Sequence, residues 1–284
     1  MNAIAAALRA AGLSVPVQDR PLGGGCIHDV RTVDLADGTT VVAKIDDAKV
    51  LGRFREEAAG LAALAATDTV RVPAVLECAV HDGRAILLLA HLDQAPASSR
   101  DWARFGAALA ALHAADAGSR YGFEHDNHLG PTPQPNRWAD DWVTFNREQR
   151  LGPQLERCRG VLGPRTADRV ATVIDRLEEL LPRNPRPALL HGDLWSGNAL
   201  ATPAGIAVVD PACSVGDGWA DIAMMQLFGG FSTACFDAYA SAVGEPDALR
   251  ERIVVYQLYH VLNHVNLFGR GYVGQATSLA RSLR

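Results

Sequence analysis

Polar and apolar positions alternate over residues 31–35 and a mainly apolar run covers 40–45; these strand-like segments, with Asp37-Gly38 between them, predict a β-hairpin. A second pair of strand-like runs, 75–80 and 84–90, brackets His81-Asp82-Gly83. Between the pairs the period changes. Phe54, Ala58, Leu61 and Leu64 fall near one face of a helix over 54–64. Residues 2–11 read as a short amphipathic helix. Periodicity is lost at Gln94-Ala95-Pro96-Ala97-Ser98-Ser99, which reads as a linker. Beyond it the pattern is mainly helical. Trp102, Phe105, Leu109 and Leu112 mark a helix over 101–115, with Ser98 or Ser99 as its cap. Further helices are predicted over 166–181, capped by Thr166, and over 231–243 and 248–268. Residues 118–137 are rich in Gly, Asn and Pro and read as a long excursion. Short buried strands at 188–190 and 206–209 interrupt this helical half.

Composition narrows the class. The 284 residues suffice for one large domain or two small lobes, and 48% are hydrophobic, as in a globular protein. A net charge of −5 argues against a nucleic-acid partner. The five cysteines are scattered without a C-x-x-C pair, so neither a zinc site nor a disulfide framework is expected. An odd number suits a reducing compartment. The Ala-rich start, with Arg9 as its charge, lacks the form of a signal peptide, and no apolar run matches a bilayer's thickness. The expectation is a cytoplasmic protein with no membrane anchor.

The chemistry concentrates at Leu189-Leu190-His191-Gly192-Asp193-Leu194-Trp195-Ser196-Gly197-Asn198, followed by Asp210. An apolar strand turns into a polar loop, and a second strand ends on an acid. His-x-Asp, four residues and then Asn is the outline of a kinase catalytic loop. In that chemistry Asp193 accepts the acceptor's hydroxyl proton, while Asn198 and Asp210 hold magnesium, a hard cation that prefers oxygen ligands, on ATP phosphates. Upstream, Gly23-Gly24-Gly25-Cys26 lets backbone approach a ligand closely and offers N–H groups to phosphates. Lys44, in the apolar run Val41-Val42-Ala43-Lys44-Ile45, suits the phosphate-pairing lysine. A helix glutamate has to orient it, either Glu57 or Glu56. Adenine would meet the backbone near His91 and Leu92.

Four residues are candidates for the acceptor. Trp138 and Asp141 form a wall for a polyol or amine, or else begin a helix with aromatic packing. Asp217 and Trp219 are expected to face the acceptor. His113 reads as structural. Asp221, if buried, needs donors, and bracing the catalytic-loop backbone would supply them. Tyr256, Tyr259, His260, Asn263, His264 and Asn266 crowd the last long helix and imply a partly buried network or a cleft wall.

Together these segments resemble the fructosamine kinase (ketosamine kinase) family, relatives of aminoglycoside phosphotransferases within the protein-kinase-like fold. The likeness covers nearly the whole chain: GGGCI at 23–27, VAKID around Lys44, FREEAAGLAAL at 54–64, NRWADDWVTF at 136–145, HGDLWSGN at 191–198, DPA at 210–212, LFGGF at 227–231 and YQLYHVLNHVNLFG at 256–269. The resemblance implies an α+β bilobal fold: a nucleotide-binding lobe over 1–93 with a sheet and a helix, and a mostly helical catalytic and acceptor lobe over 94–284. It implies ATP and Mg2+, and phosphoryl transfer to a sugar hydroxyl of a free or protein-bound ketosamine, an activity that removes glycation.

One departure stands out. After DPA the family usually reads Gly-His, whereas this chain has Gly216-Asp217, closer to aminoglycoside phosphotransferases, so the acceptor is the open question. Cys26, among backbone donors near Lys44, is also a candidate redox thiol. The expected state is a monomer, with a redox-linked dimer as the alternative.

Overall fold

A computed structural model describes residues 2–23 and 28–283, so the expectations placed on Gly24, Gly25 and Cys26 lie outside the described residues. By contact the chain forms two units, 1–101 with 197–211 and 102–196 with 212–284.

The smaller unit opens with α1 (Asn2–Ala10), β1 (Pro16–Pro21), β2 (Asp29–Leu35), β3 (Thr40–Asp47), α2 (Leu51–Ala66), β4 (Val75–His81) and β5 (Arg84–Ala90). The strands form one antiparallel sheet in the order β1-β2-β3-β5-β4. Period two sorts their side chains between two helices. Val41, Ala43 and Ile45 of β3 and Ile86 and Leu88 of β5 pack with Ile4 and Leu8 of α1. Ala85, Leu87 and Leu89 pack with Phe54 and Leu61 of α2, and Val42 joins them. Lys44, two residues beyond Val42, is therefore delivered to the α2 face of the sheet.

The larger unit takes up the chain within α3 (Ser99–Ala114) and continues through β6 (Asn127–Leu129), β7 (Thr132–Gln134), α4 (Trp142–Asn146), a π-helical turn at Arg147–Leu151, α5 (Gly152–Leu162), α6 (Pro164–Asp175), α7 (Leu177–Leu180) and β8 (Pro187–Leu190). The chain returns to the smaller unit for the hairpin β9 (Ala199–Thr202) and β10 (Gly205–Val208). There Val208 N–H donates to the Arg71 carbonyl at 2.8 Å. It then completes the larger unit with β11 (Ser214–Asp217), α8 (Trp219–Phe228), α9 (Thr233–Val243), α10 (Leu249–Phe268) and α11 (Val273–Ser282). β8 pairs antiparallel with β11, and the long helix α10 packs on α5, α8 and α11. Among the described residues, no helix is long and apolar enough to cross a membrane.

Three local expectations change. The excursion at 118–137 contains the β6–β7 hairpin. The helix expected over 166–181 begins at Pro164 and breaks after Asp175; Thr166 lies inside it, its hydroxyl 3.0 Å from that of Thr277, and caps nothing. Asp141, a candidate for the acceptor, is engaged within the fold. It is the N-cap of α4, its carboxylate accepting the Thr144 N–H at 2.7 Å and pairing with Arg183. Of the two readings left open for this stretch, a helix start holds.

A cap of this kind is worth ~1 kcal/mol. Asp141→Ala should therefore lower unfolding free energy by about that amount, with Asp141→Asn keeping most of it, and with both variants retaining the wild-type acceptor KM. Denaturant unfolding and steady-state kinetics check this; a raised acceptor KM at unchanged stability would restore the substrate role.

Candidate active site

In the smaller unit a charged cluster follows from the packing. On α2 the buried face carries Phe54, Leu61 and Leu64, and Glu57, three residues after Phe54 and four before Leu61, shares that face. Its carboxylate accepts from Lys44 Nζ at 2.7 Å. The same ammonium pairs with Asp210, which comes 166 residues later in the chain. Glu57, not Glu56, is thus the acid that meets the lysine.

Asp210 reaches this position because the β9–β10 ladder runs one step past its strands. Val209 N–H donates to the Asn198 carbonyl at 3.0 Å, which sets Asn198 beside the residue just before Asp210. The Asn198 side-chain amide lies 3.5 Å from the Asp210 carbonyl. Asp210 itself adopts φ +56, a left-handed conformation that Asp tolerates better than most residues. Burial lowers the Lys44 pKa, but Glu57 and Asp210 outweigh it and hold the ammonium above its usual range. Burial pushes the Glu57 carboxyl upward, against the pull of Lys44, and the charge of Asp210 adds to that rise. Two acids share one base, and half of the Asp210 side chain is exposed.

With both acids ionised the cluster has one negative charge more than Lys44 balances, which fits a cation at Asp210. Among the described residues no three of His, Cys, Asp and Glu converge as a metal cage. An ion here would rest on the Asp210 carboxylate and the Asn198 amide, with water and phosphate completing its shell, as suits magnesium. His91 lies after β5 with its ring 3.3 Å from Asp93, and Leu92 is half-buried beside it. Gly23 ends the described part of the Gly-rich stretch and is exposed, with open space where a Cβ would stand.

In the larger unit the loop after β8 is held from behind. Asp221, in the first turn of α8, is 1% exposed. It accepts the backbone N–H of His191 at 2.8 Å and that of Gly192 at 2.9 Å. His113 Nε2 reaches it at 3.3 Å, and the Tyr239 hydroxyl meets His113 Nδ1 at 2.9 Å. Burial raises the Asp221 pKa, yet the His113 bond and charge, His191 and the Gly192 N–H more than offset this and lower it. Gly192 has φ +82, and a Cβ there would stand 2.1 Å from the Ala212 carbonyl oxygen, so only glycine lets the loop turn here. Asp193 follows, its N–H 3.3 Å from His191 Nδ1.

Asp217 and Trp219 are not at an acceptor surface. Asp217 is 3% exposed and accepts from Arg252 at 2.7 Å and from the Tyr256 hydroxyl at 2.6 Å. Trp219 is buried edge-on against Tyr239. Asp217 is held by polar partners and Trp219 by aromatic packing, and Gly216 beside them leaves room for the Trp142 ring, which a Cβ would approach to 2.5 Å. Trp138 is 39% exposed with the Arg120 guanidinium 5.4 Å from its ring centre.

The fructosamine kinase model matches residues 2–284. The chain belongs to the fructosamine kinase family. A probable ketoamine kinase of Synechocystis is 41% identical over 265 residues, covering 92% of this chain and 88% of that protein. The mouse ketosamine-3-kinase is 32% identical, covering 92% and 93%. A crystal structure from Thermobifida fusca, assigned as a fructosamine-3-kinase, superposes with a TM-score of 0.90 at 34% identity over 100% of this chain and 99% of that one. The fold is protein-kinase-like, shared with macrolide and aminoglycoside phosphotransferases. The protein is a kinase that transfers a phosphoryl group to a sugar hydroxyl, and its family membership implies use of ATP.

The bracing carboxylate gives a pH signature. A folded-state pKa held below the unfolded value of about 4 contributes stability at neutral pH that is lost as pH falls through the folded pKa. Asp221→Asn keeps one acceptor and turns an N–H toward the other donor, so it should cost ~3 kcal/mol at pH 7, as for charged hydrogen bonds. The gap to wild type should narrow below about pH 4. Urea unfolding across pH checks it; a gap constant with pH would remove the charge from the account.

Proposed function

We propose that the protein phosphorylates a sugar hydroxyl of ketosamines, free or on protein amines, in the cytoplasm, and so serves deglycation. The carrying observation is the Lys44–Glu57–Asp210 cluster with Asn198 tied in register beside it, in a chain of this family. Glu57 fixes Lys44, whose ammonium meets the nucleotide phosphates. Asn198 and Asp210 would hold magnesium, which when bound neutralises phosphate charge. Asp193 takes the proton of the acceptor hydroxyl as that oxygen bonds the γ-phosphorus and the bond from phosphorus to the β–γ bridging oxygen breaks, leaving ADP. His91 and Leu92 offer backbone groups to the adenine, and Gly23 to Gly25 offer theirs to the phosphates. Positioning and charge neutralisation carry most of the rate, as in other phosphoryl transfers.

The Gly216-Asp217 departure no longer speaks for an aminoglycoside acceptor, because Asp217 is spent on Arg252 and Tyr256 in the core. ATP consumption with fructosamine, ribulosamine and aminoglycoside acceptors tests the reading: turnover is expected with ketosamines, and turnover confined to aminoglycosides would refute it. Asp193→Asn should lower kcat by roughly 10²–10⁴-fold, the range for loss of a general base, with ATP affinity nearly intact. Asp210→Ala should instead abolish magnesium-dependent nucleotide binding. Full activity in the first, or unchanged binding in the second, overturns the corresponding role.

A further inference from the structure

A small pocket in the larger unit touches the catalytic loop at Leu190 and Gly192 and has no part in the chemistry described so far. Arg150, Tyr259 and His260 form its polar wall, Trp142 and Tyr256 its aromatic one, and its volume is about 30 Å³. That is room for about two water-sized groups, too little for a whole sugar.

Its polar groups are unequally satisfied. The Arg150 guanidinium is fully buried and stacks 4.3 Å over Phe145. It donates to the carbonyls of Pro135 at 2.6 Å and Gln149 at 3.0 Å, and to Asn136 Oδ1 at 2.7 Å, with no carboxylate partner among the described residues. Tyr259 donates its hydroxyl proton to Gln134 Oε1 at 2.6 Å, and although the Gln154 side chain also acts on its oxygen, that oxygen has a second lone pair with which to accept. His260 Nδ1 is buried and has no hydrogen-bond partner among the described residues. A buried polar atom left without a partner works against folding unless something else satisfies it. Burial, with His264 and Arg150 adding to it, pushes the His260 pKa down to about 3, so the ring is neutral. Asp221 also lines the pocket, but its oxygens take the His191 and Gly192 N–H groups and His113.

These features select the guest. An ammonium would face the Arg150 cation and find no acid in need of it. A carboxylate would be set against Asp221. A hydroxyl is neutral, with one proton and two lone pairs: with the imidazole proton on His260 Nδ1 it accepts from that N–H while donating to the Tyr259 oxygen, and in the other tautomer it gives its proton to Nδ1 instead. The pocket adjoins the base through the chain itself, because Gly192, which lines it, directly precedes Asp193.

Resting on the ketosamine reading above, we propose that this pocket takes a second hydroxyl of the acceptor sugar, one that is not phosphorylated, and that Tyr259 and His260 are specificity-determining residues for it. The amine end of the acceptor stays outside, so the enzyme reads the sugar and tolerates whatever carries the amine. A site that hydrogen-bonds a substrate hydroxyl rejects the analogue lacking it far more strongly than an apolar site senses a missing methylene.

The test is a series of ketosamines each lacking one hydroxyl other than the phosphorylated one, assayed with wild type, Tyr259→Phe and His260→Leu. One deoxy acceptor should lose at least about tenfold in kcat/KM with wild type. Both variants should lose a similar factor on the parent acceptor, keep the wild-type KM for ATP, and show little further loss on that deoxy acceptor. Tyr259→Phe, which removes a single oxygen, decides the matter if His260→Leu does not fold. A flat deoxy series with wild type, or an undiminished deoxy penalty in Tyr259→Phe, overturns the inference. A wild-type enzyme that phosphorylates no ketosamine overturns the proposed function itself, a different result from a flat series.

Discussion

An ammonium buried in a β-strand has to be matched by acids, and Lys44 sets this requirement for the smaller unit. Strand alternation turns it toward α2 with Val42, into a layer otherwise made of Phe54, Leu61, Leu87 and Leu89. Leaving such a charge unpaired costs several kcal/mol. Glu57 answers from the helix and Asp210 from far along the chain. The second partner explains why residues 197–211 belong to the smaller unit although the chain on both sides of them belongs to the larger one. The β9–β10 hairpin, paired to Arg71 at one side, carries Asn198 and Asp210 at its open end. One electrostatic demand in β3 thus fixes where a nonlocal hairpin must lie.

The larger unit solves the converse problem. Its loop must expose a carboxylate at Asp193 while its backbone N–H groups are buried. Asp221 satisfies two of those groups with one side chain and is itself held by His113 and Tyr239. Gly192 supplies the turn between them, where the Ala212 backbone leaves no room for a Cβ. Rigidity at this loop comes from polar contacts behind it, which is how a site held to a fraction of an ångström is built.

Much of this was legible in the sequence because the chemistry uses fixed local spacings. Lys44 in an apolar strand, the acid-bearing helix after it, and His-Gly-Asp with Asn198 and Asp210 are each local patterns, and a buried Asp221 could be paired with the loop by asking where its donors come from. Choosing Glu57 over Glu56 needed only the face of α2 on which Phe54 and Leu61 lie. What was not legible depends on nonlocal burial. Asp217 and Trp219 are expected from the sequence to face the acceptor, yet Arg252 and Tyr256, some 35 and 39 residues on, enclose Asp217. Asp141, between two tryptophans, reads either as substrate wall or as helix start, and its position before Trp142 is that of a cap. The pocket of Arg150, Tyr259 and His260 combines α10 with the turn after α4. Only the crowding of polar groups on the last long helix hinted at it.

The acids of this chain show how architecture and chemistry can be separated. Asp217 and Asp221 sit at 3% and 1% exposure, with each carboxylate taking donors from more than one element. A carboxylate so enclosed cannot exchange its partners for a substrate without leaving buried donors unpaired, a cost of the same order as the bonds it makes. Asp210 is built differently: 49% of its side chain is exposed, its ammonium partner is already shared with Glu57, and the cluster carries an unbalanced negative charge whenever both acids are ionised. That imbalance is tolerable only next to solvent or a cation. The same reasoning applies to the orphan nitrogen of His260. His125 Nε2, Gln149 Oε1 and Arg252 Nε of the larger unit also lack partners among the described residues, but His260 is the one of these that lines the pocket beside the catalytic loop, where the acceptor can fill it.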